Sequence, residues 1–84
     1  MEKVTRDNIE QHLFDDMLSL IGKTRVDMID VYRWRWEFTM TRIQYMDFHR
    51  YAIKLIMKTL RINKNKALVA FERYWKDFGV RIKN

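Results

Sequence analysis

Apolar residues recur along much of the chain at the three- and four-residue spacing of a helix that buries one face. Ile9, Leu13, Met17, Leu20 and Ile21 form the first such stripe. They predict a helix that starts after Thr5 or Asp7, both competent N-caps, and runs to about Ile21. Gly22 then fits the left-handed position that ends a helix. Thr24-Arg25-Val26-Asp27 has the spacing of a capping box, with Asp where Glu or Gln is usual. Beyond it, Val26, Ile29, Tyr32, Trp36, Met40 and Ile43 form a second helical stripe.

The same region supports another period. Tyr32 to Thr41 alternates residue by residue and is rich in the aromatics and Thr that strands favour. Helix is the primary reading, because no turn residues are present to make a hairpin. The alternative is a strand at about 31–41 pairing across a dimer. Thr41-Arg42-Ile43-Gln44 is a further capping box, and Asp47 a further cap, so a boundary is expected there. Phe48, Ala52, Ile53, Ile56, Met57 and Leu60 predict a third helix to about Ile62. Asn63-Lys64-Asn65-Lys66 interrupts it, with Asn65 as cap. A last helix, Lys66 to about Phe78, carries Leu68, Phe71, Tyr74, Trp75 and Phe78. Gly79 ends it, and Val80–Asn84 is a basic tail. The expected fold is all-α, a bundle of about four helices in one domain spanning 1–84.

Composition supports a folded chain: of 84 residues, 48% are hydrophobic and 14% aromatic, and proline is absent. A domain this small has little core to spare, which predicts a homodimer. Trp34, Phe38 and Tyr45, lying off the main stripes, strengthen that expectation. With no cysteine there is no disulfide scaffold and no thiolate chemistry, and a cytoplasmic setting is expected. No apolar run approaches the roughly 18 residues of a membrane span, so no membrane partner is expected.

Charge is distributed unevenly. Residues 1–47 hold seven Lys/Arg against nine Asp/Glu, a net of −2; residues 48–84 hold ten against two, a net of +8; together these make the overall +6. Clustered like charge raises the energy of the isolated fold and points to a polyanionic partner. Arg50, Lys54, Lys58 and Arg61 share one helix face over roughly 16 Å at the α-helical rise. Lys64 and Lys66 continue the row into the turn, and Arg73 and Lys76 lie on the next helix. A charged helix face is most often only solvated, but this one lacks the acidic residues that would pair with its lysines. Phosphates would meet such a row and release their counterions. Arg33-Trp34-Arg35-Trp36 offers a second basic and aromatic surface, with Trp36 better placed for packing than for stacking bases. Arg6 and Lys23, in the near-neutral half, are expected to matter little.

Chemistry has no comparable candidate. Gly22-Lys23-Thr24 lacks the earlier glycine of a phosphate loop, because that position is Met17. His12 and His49 have no ligand partners at metal spacing. Asp15 and Asp16 are adjacent and diverge on a helix. Ser19, the single serine, carries no nucleophile motif. No enzyme activity, metal or cofactor is expected. The basic C-terminal set and the Arg33–Trp36 cluster, in a compact cysteine-free chain, resemble the small early proteins with which T-even phages inhibit host machinery, among them an RNA-binding inhibitor of a toxin–antitoxin system. The resemblance implies RNA ahead of DNA as the polyanion and a host cytoplasm as the setting. The expectation is thus a non-enzymatic, largely sequence-independent nucleic-acid binder. A protein docking an acidic host partner through the same basic face is the alternative.

Overall fold

The computed structural model describes residues 3–22 and 39–83. Helix α1 spans Ile9–Leu20, strand β1 Thr39–Thr41, helix α2 Arg42–Leu60, helix α3 Lys64–Phe78 and strand β2 Arg81–Lys83. The described residues are thus mostly helical, with three helices and one small sheet. Two strands were not part of the all-α expectation. β1 and β2 pair in parallel, Thr39 opposite Arg81, Met40 opposite Ile82 and Thr41 opposite Lys83. Parallel neighbours need a long crossover, and here the α2–α3 hairpin supplies it. The strand alternative is therefore correct for residues 39–41, but their partner is the chain's own C-terminal segment. The expected second helix falls largely on residues 23–38, outside the described residues.

Local chemistry sets the boundaries. Thr41 closes a complete capping box on α2: its hydroxyl accepts from the Gln44 N–H at 3.1 Å, and its own N–H donates to Gln44 Oε1 at 2.8 Å. Satisfying both donors requires Thr41 to be extended (φ −72°, ψ 162°), so the helical stripe drawn through Met40 and Ile43 breaks there. Gln44 also donates to the Leu20 carbonyl at 3.5 Å, which brings the end of α1 beside the start of α2. α3 begins two residues earlier than expected, because Asn63, not Asn65, accepts from the Lys66 N–H at 2.9 Å. At the start of α1, Asn8 precedes the helix and turns backward, its Oδ1 accepting from the Thr5 N–H at 2.7 Å. Gly22 and Gly79 both take positive φ, at 76° and 68°, as expected of helix-ending residues.

The core lies between the three helices. From α1 come Ile9, Leu13, Phe14, Met17 and Leu18, while Leu20 is 40% exposed and leaves the predicted stripe. Phe48, Ala52, Ile53 and Ile56 of α2 are buried as the spacing predicts, with Met57 and Leu60 at the margin. α3 adds Ala67, Phe71 and Phe78, and Met40 and Val80 bury the two strands' approaches. Aromatic contacts join the hairpin: Phe48 lies 6.0 Å from Phe71, centroid to centroid, and Tyr45 meets Trp75 edge-on at 4.9 Å. Tyr45 is thus part of the helix packing, which removes one of the three residues that argued for a dimer. Tyr51 links α1 to α2 by donating its hydroxyl to Asp16. Burial, then that bond and the Asp16 charge, push the Tyr51 phenol up to about 12.

Candidate nucleic-acid interface

α2 presents its cations because its core face is so well defined. With Phe48, Ala52 and Ile56 turned inward, positions 50, 54 and 58 fall on the opposite side, and Arg50, Lys54 and Lys58 are exposed there. Arg61 extends the row as the residue that caps the helix, outside it rather than within it. Its φ of 54° is the one positive value at a non-glycine among the described residues. Among the described residues none of these four cations has an ion-pair partner. Asp47 sits at the N-terminal end of the same exposed stripe, so the cationic stretch occupies the later turns of α2. A helix C-terminus carries partial negative charge, and cations placed there are stabilised by it.

The remaining basic residues divide into two groups. Lys64 opens α3 and lines a groove together with Arg50 and Lys54. Lys66, Arg73 and Lys76 are also exposed, but helical spacing sets them on the face of α3 turned away from Ala67, Phe71 and Phe78. The charges of Arg73, the neighbour of Tyr74 in the sequence, and of Arg6 both act on the Tyr74 phenol. Burial and then Glu10 push that phenol up, against the two arginines. Arg33 and Arg35 lie outside the described residues.

Two features escaped sequence reasoning. The first is Arg6, whose guanidinium donates to the Leu60 carbonyl at 3.4 Å. It therefore stands at the end of the cationic row and is not the remote residue expected. No signal in the sequence links positions 54 apart. The second is the groove, a concavity of about 650 Å³ beside the row. Tyr45, Met46, His49, Ile53 and Met57 line it with apolar and aromatic surface, and Arg50, Lys54 and Lys64 supply its cations. Four of the lining residues recur at every fourth position, 45, 49, 53 and 57, which was a legible signal of a shared helix face. Burial, then the Glu72 charge, push the Tyr45 phenol up, so that ring is neutral at physiological pH. His49 packs edge-on against Phe71 at 4.7 Å.

A second concavity at the junction of α1 and α3 has the opposite sign. Asp7, Glu10 and Asp77 surround it, with Phe14 and Phe78 below. Burial first, then hydrogen bonding and repulsion from Asp77, push the Glu10 carboxyl up. Among the described residues no group of three or more His, Cys, Asp or Glu side chains could hold a metal ion, and no helix is long and apolar enough to cross a membrane. Comparison with known proteins finds no family model, curated protein or solved structure that matches the chain.

Proposed function

We propose that the protein binds nucleic acid, RNA ahead of DNA, through the later turns of α2 and the start of α3, and that it performs no chemistry of its own. The observation that carries this reading is the run of Arg50, Lys54, Lys58 and Arg61, exposed and without ion-pair partners among the described residues. Lys64, from a second helix, stands beside it. Each phosphate met by such a row releases condensed counterions, so affinity is strongly salt-dependent and indifferent to sequence. Arg61 adds a local argument: glycine takes a positive φ at no cost, yet an arginine occupies this one. The preference for RNA follows the resemblance to phage early inhibitors, in which setting the protein would inhibit a host toxin–antitoxin system.

A contact with an acidic host protein is a second reading, favoured by Ile43 and Met46, which are 73% and 53% exposed next to the row. The two separate on purification without nuclease. The nucleic-acid reading expects an absorbance ratio at 260 and 280 nm well above that of protein alone, collapsing on treatment with ribonuclease and not deoxyribonuclease. Clean protein that retains a stoichiometric acidic polypeptide overturns it.

A further inference from the structure

We infer that the groove beside the cationic row receives unstacked bases of a single strand, whose phosphates lie on Arg50, Lys54 and Lys64. The inference rests on the nucleic-acid reading and narrows it from polyanions in general to single strands. Its basis is the pairing of two surfaces that duplex binding does not need together. The groove is walled by a phenol, an imidazole, two thioethers and an isoleucine, and no carboxylate lines it among the described residues. The Glu72 charge is felt at Tyr45, but neither Glu72 nor Asp47, the neighbour of Met46 in the sequence, is part of the groove lining.

An occupant therefore needs an apolar, flat body with anionic groups beside it, and more than one of them. A fatty acid has the body but a single charge, which leaves Lys58 and Arg61 unused beyond the groove. A duplex has the charges, but its bases are paired and stacked inside it and cannot enter. A single strand has both: every base offers a π-face, and every step along the strand carries a phosphate. The aromatic wall is held in place by packing, with Tyr45 5.8 Å from His49 and 4.9 Å from Trp75, centroid to centroid. Met46 and Met57 supply soft sulfur surfaces of the kind that pack well against aromatic edges.

The test uses the full chain and three labelled probes of equal length, followed by fluorescence anisotropy at low salt. They are an oligouridylate, an abasic oligomer with the same phosphates, and an RNA duplex. The oligouridylate should bind about tenfold tighter than the abasic oligomer, as one stacked base implies. Met46→Ser, at an exposed position and without change of charge, should cut that preference about threefold, whereas Val69→Ser, exposed on α3 and outside the groove lining, should leave all three affinities unchanged. Equal affinity for the oligouridylate and the abasic oligomer, or tighter binding of the duplex, overturns the groove assignment and leaves the nucleic-acid reading standing. So does a Met46→Ser variant that weakens all three probes alike. Failure of all three probes to bind overturns both, and turns attention to an acidic protein.

Discussion

Among the described residues like charges gather in two places, and they gather in different ways. The cationic row on α2 is assembled by helix periodicity from residues no more than 11 positions apart. The acidic site at the α1–α3 junction brings Asp7 and Glu10 against Asp77, from opposite ends of the chain. In the row the side chains project into open solvent and can spread. At the junction Phe14 and Phe78 pack edge-on at 5.0 Å and hold the carboxylates together, so that Glu10 resists ionisation. The row is a surface that packing leaves free, whereas the junction is crowding that packing imposes.

Removing the packing is the largest test of that difference. Phe14 is 9% exposed, and Phe14→Ala deletes its ring from the core. Loss of a buried Phe costs about 3–5 kcal/mol, a large part of the stability available to a domain of this size. Thermal melting followed by circular dichroism should show the transition much lowered or lost. A melt within a few degrees of the parent would mean that α1 does not depend on this contact.

A smaller effect of opposite sign is expected from Asp77→Asn. Asp77 lies in the last turn of α3, where a carboxylate opposes the helix dipole, and it faces Glu10. Its neutralisation should stabilise the fold by about 0.5 kcal/mol at neutral pH. Because the Glu10 pKa is raised on folding, its protonated form favours the native state. That stabilisation is present below the ordinary carboxyl pKa and is lost as pH rises through the raised value. The advantage of the variant over the parent should therefore be full at neutral pH and shrink as acidification protonates Glu10. An advantage that is independent of pH would assign it to the dipole alone.

The same contrast explains what could be read in advance. The row, the capping box at Thr41–Gln44 and the stop at Gly79 depend on neighbours within a few residues, and each is where the spacing put it. β1 and β2 were not legible as a pair: each is three residues long, and Met40 lies 42 positions from its partner Ile82. Thr39–Thr41 satisfied two periodicities, and the capping geometry of Thr41 decided between them. Arg6 reaches the end of α2 only through the tertiary fold. The groove wall escaped notice, although its four-residue repeat was legible. Its cationic rim was not, because Lys64 joins Arg50 and Lys54 only once α3 folds back on α2.

The most direct test of the central claim is a matched pair of charge reversals titrated with single-stranded RNA at several salt concentrations. One variant changes Lys54, Lys58 and Arg61 to Glu. The other changes Arg42, Arg81 and Lys83 to Glu, also exposed but away from the row, since Arg42 opens α2 and β2 lies beside the strand that enters that end. Both lose the same net charge, and surface substitutions of this kind typically shift stability by no more than about ±0.5 kcal/mol each. The row variant should lose binding, with its log–log salt slope reduced by roughly 0.7 per phosphate contact removed, while the control keeps most of its affinity and slope. Equal losses in the two variants would show diffuse attraction without a defined surface, and undiminished binding in the row variant would contradict the account outright.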